Sequence, residues 1–402
     1  MNRVGAMAKY PQRSLSVSDL VVHGHCDSKF EAVRRGFVEN FTQRDELGAS
    51  VAVVYEGELV VDLWAGYGDA DRTRPWLEDT LVNVWSVGKA MTALTLLHLL
   101  ENRNIDVNSR VADHWPEFAQ AGKGQITLAQ AMSHQAGLCG IDSPLPTDAY
   151  FHWDLMTAAI ARQKPWWVPG QAHGYHTNTF GFLLGEPLQR IAGQSFSDYF
   201  QQQIAGPLGM DFQFGVAADQ QHRCADLTFL DRAGVGLAAP VMALDASDTL
   251  GAMRERVANN PPLLSLGVNS TAWRRAVFPS TNPQSNARSV ARCFGELALI
   301  AAGKRVGVIS QAQLNRATQI VSDGLDLNVQ RPTRFGLGFQ LTQPDRPLGP
   351  NPGTFGHYGN GGHLGFADPS RSLGFAYHMN HQGFAWRDPR NITLTDAVYR
   401  SL

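Results

Sequence analysis

The sequence predicts an α/β fold: an antiparallel sheet built from both chain ends, flanked by helices, with a mainly helical part inserted between them. Three observations predict it. Val-rich, strand-like runs occur early, at Gly48–Tyr55 and at 59–64. Short strand-like runs separated by Gly, Pro and Asn return late, at 335–341, 356–358, 364–367 and 373–380. Between these two groups the apolar residues recur mostly at helical spacing. Strands at both ends with helices in the middle are most simply layered as one sheet with a helical insertion. We therefore expect 1–114 and 326–402 to form the α/β part and 115–325 the helical part.

Each element follows from its own pattern. Residues 1–30 read as a leader that packs loosely. The stretch 29–42 reads as a helix, with Phe30, Val33, Phe37 and Phe41 on one face. The first two strand-like runs flank Glu56-Gly57-Glu58, a turn that makes them a hairpin. At 86–101, Met91, Leu94 and Leu97 recur in steps of three, and Leu96, Leu99 and Leu100 widen the apolar surface. That helix should be mostly buried, with Ser86 at or near its N-terminus. Further helices are expected at 128–133, at 150–163 (stopped by Pro165 and Pro169), at 179–192 and at 196–204. The stretch 240–310 reads as helix with long loops, best defined at 286–302, and 393–402 closes the chain as a helix.

Composition narrows the function. Lys plus Arg total 34 against 36 Asp plus Glu, so there is no positive excess for broad phosphate binding and no nucleic-acid partner is expected. No apolar run reaches the roughly 18 residues of a membrane span. The first residues, MNRVGAMAKYPQRSLSVSDLVV, lack the continuous apolar core of a secretory signal. A cytoplasmic protein without a membrane partner is expected. Cys26, Cys139, Cys224 and Cys293 are widely spaced and read as reduced thiols. His23, His25 and Cys26 lie close together, but no second ligand cluster follows, and neither His-Glu-x-x-His nor a paired Cys-x-x-Cys occurs. No metal is expected. Gly66-Tyr67-Gly68 is too short to cradle a phosphate, so no nucleotide or other cofactor is expected.

The chemistry-bearing segment is Trp85-Ser86-Val87-Gly88-Lys89. A spacing of three puts Lys89 one helical turn after Ser86 on the same face. A hydroxyl is a poor nucleophile until a neighbouring base takes its proton. A lysine in an apolar setting at a helix N-terminus loses its own proton more easily, through desolvation and the positive end of the dipole. By itself Ser-x-x-Lys is a common spacing, more often an N-cap serine followed by an exposed lysine. The apolar flanks Val82, Val84 and Trp85 favour a buried pair. No Gly-x-Ser-x-Gly occurs, so a nucleophile elbow is excluded.

The run Thr80-Leu81-Val82-Asn83-Val84-Trp85-Ser86-Val87-Gly88-Lys89-Ala90 resembles the nucleophile motif of the serine β-lactamase-like family. That family, with the class C β-lactamase and penicillin-binding protein fold, includes the D-alanyl-D-alanine peptidases and the family VIII carboxylesterases. The likeness is nearest to the esterases and extends over about 35–400, with similar blocks at 62–90, 126–140, 165–190, 279–297 and 354–380. It implies a β-lactamase/transpeptidase-like fold and a cleft holding Ser86 between the two parts.

Pro169-Gly170 followed by Tyr175 is similar to the family's tyrosine motif, which implies a general base. Read alone, Tyr175 is a half-buried structural tyrosine. As a partner of Lys89 it can share one proton with the amine, a property of the pair. The lactamase motif has Asn two residues after the tyrosine; here Thr177 stands there and Asn178 one position later. His173 and His176 invite a histidine triad, but neither has an orienting acid nearby. His357-Tyr358-Gly359 resembles the third motif, Lys-Thr-Gly in lactamases and often His-x-Gly in the esterases. A His carries only partial charge near neutrality, so this site favours neutral esters over substrates that end in a carboxylate. The glycine-dense run that follows could also be a plain turn. As an oxyanion edge it would join the Ser86 N–H with one from Asn360 or Gly361. Trp85, Tyr150, Trp153 and Tyr358 are the expected pocket aromatics. The segment around His134 resembles a family block that is mainly structural, and Arg288, in another block similar to the family's, is expected to anchor a helix.

The expected function is a serine carboxylesterase that acts on small to medium esters through an acyl-serine. A β-lactam hydrolase or an acyltransferase of the same fold is the alternative, as is a non-catalytic penicillin-fold binding protein. The partner is a small-molecule ester, and self-association into a homo-oligomer is compatible with this reading.

Overall fold

Both chain ends enter one sheet. A computed structural model describes residues 20–230 and 248–402. Its strands are β1 (Val22–Cys26), β2 (Gly48–Tyr55), β3 (Glu58–Gly66), β4 (Ser322–Leu325), β5 (Pro332–Phe335), β6 (Gln340–Leu341), β7 (Phe355–Tyr358), β8 (Leu364–Asp368) and β9 (Leu373–Met379). They lie in the order β1-β3-β2-β9-β8-β7-β6-β5-β4, with every neighbouring pair antiparallel. The seam between the two ends is β2 against β9, from Tyr55 opposite Leu373 to Ala49 opposite Met379. The expected hairpin forms with a shorter turn: Tyr55 pairs with Glu58, and only Glu56 and Gly57 reverse the chain, both at positive φ (52° and 92°).

Alternation along the strands gives the sheet two apolar faces. Val51, Val53, Val61, Leu63, Phe366, Phe375 and Tyr377 face α1 (Glu31–Gln43) and the C-terminal helix α6 (Pro389–Arg400). The opposite face carries Ala52, Val54, Ala367 and Ala376 and receives α5 (Ala287–Ala301). These small residues let α5 come close. A Cβ on Gly374 would stand 2.2 Å from the backbone nitrogen of Gly295, and one on Gly295 would stand 2.6 Å from Val54 Cγ1, so both glycines are needed for that approach. Beyond α5 lies α2 (Val87–Asn102), buried continuously from Val87 to Leu97 as its all-round apolar pattern requires. Against it packs α4 (Phe180–Ala192) of the helical part, and α3 (Trp153–Arg162) packs in turn on α4.

The structure departs from expectation in identifiable places. Residues 22–26 of the expected leader form edge strand β1; residues 1–19, like 231–247 in the middle of the chain, lie outside the described residues. The run 335–341 is interrupted, because Gly338 turns the chain at φ 81° between β5 and β6. The expected helix 196–204 is α-helical only over Phe196–Phe200 and widens to a π-turn at Gln201–Ala205. Strand β4, Ser-Asp-Gly-Leu, has no apolar alternation and is held as an edge by pairing with β5. It and α5 lie within 115–325 yet belong to the sheet layers, so we propose the two-part division with both moved to the α/β part. No helix among the described residues is long and apolar enough to cross a membrane.

Candidate active site

Ser86 is the N-cap of α2. The chain reaches it from the short strand Val82–Asn83, paired with Gln284–Ser285, and turns at Trp85 with φ 53°. A bulky residue seldom adopts that conformation and holds it only when its surroundings over-determine it. Here the indole Nε1 donates to Gln382 Oε1 at 2.8 Å, and the ring packs edge-on to Trp273 at 6.0 Å. Trp85 thus serves the turn before Ser86 as much as any pocket wall.

Lys89 Nζ lies 3.0 Å from Ser86 Oγ, one helical turn on. It also donates to the carbonyl oxygens of Thr177 and Ser280, each at 2.8 Å. Gly88 admits the segment that brings Ser280: a Cβ there would be 2.5 Å from Pro283 Cγ. The amine is fully buried, and no carboxylate pairs with it among the described residues. Desolvation therefore pushes its pKa well below that of an ordinary lysine.

Tyr175 arrives from the loop between α3 and α4. Its backbone is clamped by one segment: both Asp326 carboxylate oxygens accept its N–H at 3.0 Å, and Asn328 Nδ2 donates to its carbonyl at 2.6 Å. The ring stacks on Phe335 at 5.9 Å and packs against His134 at 5.0 Å and Trp386 at 5.4 Å, with Lys89 Nζ 4.9 Å from its centroid. Its Oη is buried and has no close hydrogen-bond partner among the described residues. Burial raises the phenol pKa, and the Ser86 hydroxyl is the main neighbour acting against that rise. The site thus brings Ser86, Lys89 and Tyr175 together as a hydroxyl, a deprotonation-prone amine and a neutral phenol.

His357, on β7, packs 6.0 Å from the Tyr175 ring. Its Nδ1 lies 2.6 Å from the Tyr358 carbonyl oxygen, which can only accept, so Nδ1 carries the proton. Nε2 is a buried acceptor without a partner among the described residues. Burial first, and Lys89 second, lower the ring's pKa to about 3. The partial charge expected at this position is therefore absent; His357 is neutral. Gly359 passes against the nucleophile strand, where a Cβ would be 2.6 Å from the Val84 carbonyl oxygen. Its N–H is taken by the His363 carbonyl at 2.7 Å, which leaves Asn360 and Gly361 as the edge's candidate donors. Gly361 takes φ 75° over Gln382.

The expected pocket aromatics divide. The Tyr150 hydroxyl accepts from Asn178 Nδ2 at 3.1 Å, and its ring stacks on Phe278 at 4.7 Å, so Asn178 joins that wall to the tyrosine loop. Thr177, at the lactamase asparagine's place, accepts from Asn328 Nδ2 at 3.2 Å. Trp153 is not brought to Ser86: it lies between α3 and α4, donating to Glu186 Oε2 at 2.7 Å beside Phe182 and Phe196. Tyr358 alternates with His357 on β7, so it faces the α1 and α6 layer, its hydroxyl donating to the Pro347 carbonyl at 2.8 Å. Both readings are corrected by the direction in which their elements point them. His176 is structural: Nε2 accepts from Leu138 N–H, Nδ1 donates to the Gly174 carbonyl, and burial lowers its pKa to about 3. Arg288 ties α5 to Asp62 at 2.6 Å. Among the described residues no group of His, Cys, Asp or Glu could hold a metal ion. Sequence reading missed Ser280, Asp326, Asn328 and Gln382, polar residues of ordinary loops whose only signal is spatial.

A family model described as Beta-lactamase matches residues 33–400. The chain is 31% identical over 364 residues to "Esterase/beta-lactamase LipL" of Mycobacterium tuberculosis, covering 89% of this chain and 83% of the relative. Among solved structures, a family VIII carboxylesterase is 37% identical with a TM-score of 0.86, covering 95% of this chain and all (100%) of the other. A penicillin-binding protein homologue from Caulobacter crescentus is 36% identical with a TM-score of 0.84, again over 95% and 100%.

Proposed function

The chain belongs to the Beta-lactamase family, and from that membership and the geometry at Ser86 we propose that it is a serine carboxylesterase working through an acyl-serine. The single observation that carries the assignment of roles is the 3.0 Å contact of a fully buried, carboxylate-free Lys89 with Ser86 Oγ. The structural likeness to a family VIII carboxylesterase supports esters as the substrate class.

In its neutral form the Lys89 amine directs its two N–H groups to the Thr177 and Ser280 carbonyls and turns its lone pair to the Ser86 hydroxyl. Ser86 Oγ attacks the ester carbonyl carbon while its proton passes to Lys89. The Ser86 N–H and that of Asn360 or Gly361 hold the developing oxyanion. The ammonium now beside the Tyr175 ring lowers the cost of ionising the phenol, which gives its proton to the departing alkoxide. The proton on Lys89 then returns to Tyr175, and the same groups deprotonate the water that releases the acid. Gly359 is the close-approach residue of this edge, and Trp85 and Tyr150 are its aromatic walls.

Replacing Ser86 with Ala and assaying a p-nitrophenyl butyrate panel tests the reading. Activity should fall to background, and a fluorophosphonate should add its mass to the wild type but not to S86A; full residual activity overturns it. β-Lactam hydrolysis is the second reading, favoured by the double name of the M. tuberculosis relative and tested with a chromogenic cephalosporin. Acyl transfer would show as an added alcohol outcompeting water. We place the protein in the cytoplasm, where its four free thiols remain reduced.

A further inference from the structure

Trp386 stands edge-on to Tyr175 at 5.4 Å and is only partly buried. Over its other surroundings three arginines gather. The Arg331 guanidinium lies 4.2 Å above the indole centroid. Arg346 donates from Nη1 to the Pro332 carbonyl at 3.0 Å, and Arg387 sits beside the Tyr358 phenol. None of the three is ion-paired with a described carboxylate, whereas Arg334 on neighbouring β5 pairs with Asp323 and Arg390 on α6 pairs with Glu46 and Asp388.

Arg331 is the most deeply placed. Its Nε is buried without a hydrogen-bond partner among the described residues. The acid whose field reaches it, Asp326, has its oxygens engaged by the N–H groups of Tyr175, Asn328 and Val329 and by the Thr333 hydroxyl. Burial and the like charge of Arg346 lower its pKa to about 10, so it stays charged but poorly compensated. It also belongs to the Asp326–Arg331 loop that clamps Tyr175, which fixes it relative to the phenol. A guanidinium that lays its face on an indole keeps its edge for a planar, two-oxygen anion.

We propose that Arg331, stacked on Trp386, recognises a carboxylate carried by the substrate at a distance from the scissile ester, so that the preferred substrates are half-esters of dicarboxylic acids or esters of similar anionic form. This rests on Ser86 being the nucleophile. His357 leaves the third motif uncharged, and the positive charge proposed here enters from a different strand connection.

The test compares p-nitrophenyl hydrogen adipate with p-nitrophenyl hexanoate, which match in chain length and differ in the terminal carboxylate. Wild type should favour the adipate by roughly tenfold in kcat/KM, the worth of one charge-assisted contact. Arg331→Gln should bring the ratio to near one, chiefly through KM; Arg331→Lys should retain part of it; and Arg162→Gln, a charge loss on α3, should retain all of it. A wild-type ratio at or below one, or a ratio that survives Arg331→Gln, overturns the proposal. Calorimetry of adipate on S86A, with and without Arg331→Gln, reads the cation without turnover. Binding lost only in the double variant supports the proposal even where neither ester is hydrolysed, an outcome that would count against the nucleophile instead. If Arg331→Gln does not fold, weaker inhibition of the wild type by adipate than by hexanol overturns the proposal by itself.

Discussion

Lys89 Nζ and Ser86 Oγ are 3.0 Å apart, and the amine's two other hydrogen bonds both go to carbonyl oxygens. No carboxylate among the described residues pairs with it to keep it protonated. Lys89→Met should therefore lower kcat/KM on p-nitrophenyl butyrate by about 10³-fold or more, the scale of a lost base. The melting temperature should move by only a few degrees, because relief of amine desolvation offsets the two carbonyls left without a donor. A large loss of stability with modest loss of rate would assign the lysine to structure.

Tyr175 offers the complementary case. Its Oη has no close hydrogen-bond partner among the described residues, so Tyr175→Phe should leave the thermal midpoint within a degree or two of wild type. The rate should fall by about 10²- to 10⁴-fold, with the larger effect on esters of poor leaving groups that need protonation. Comparison of p-nitrophenyl and ethyl butyrate reads that difference directly.

Activity and stability should respond differently to acid. Protonated Lys89 cannot accept the Ser86 proton, so kcat/KM falls as pH drops through the lysine's lowered pKa, at a midpoint well under 10.5. Stability has another origin. His176, His357 and His378 are buried neutral, with pKa values lowered to about 3 from 6.5. The unfolded chain takes up these protons first, so stability is complete above about pH 6.5 and declines as pH falls toward 3. Each ring contributes about 1.4 kcal/mol per unit in that window. Thermal midpoints measured from pH 7 to 4 should fall steeply, and His378→Asn should flatten the curve.

Asp326 accepts the Tyr175 N–H with both oxygens, two further N–H groups and the Thr333 hydroxyl. Asp326→Ala leaves these buried donors unpaired and should destabilise by about 3 kcal/mol or more while loosening the phenol. Asp326→Asn keeps an acceptor and should recover part of both losses in denaturant titration and rate.

Much of the fold is readable from the chain because its signals are local. Val alternation gives β2 and β3, and the all-round apolar pattern of 87–97 gives a helix that is buried all round. Strand β4 is not readable, since Asp323 and Gly324 break any alternation and its pairing with β5 alone makes it a strand. Within the site, Ser86 and Lys89 are legible because one helical turn relates them. Tyr175 is legible only through family likeness. Trp153 and Tyr358 were misdirected for a physical reason: an aromatic near a motif reveals nothing about the side of its element it occupies. Asp326 and Arg331 act across 150 or so positions of chain, from Tyr175 to the segment that grips it, and such pairing leaves no trace in sequence spacing.

The seam of β2 with β9 couples residue 49 to residue 379. A ribosome emitting this chain exposes a valine-rich edge early and cannot cover it until β9, at residues 373–379, has followed. Folding is therefore a late, long-range closure with a slow entropic search. A truncation before β9 would thus strip the nucleophile-bearing half of the neighbour that completes it, and fragments should regain activity only when both are supplied together.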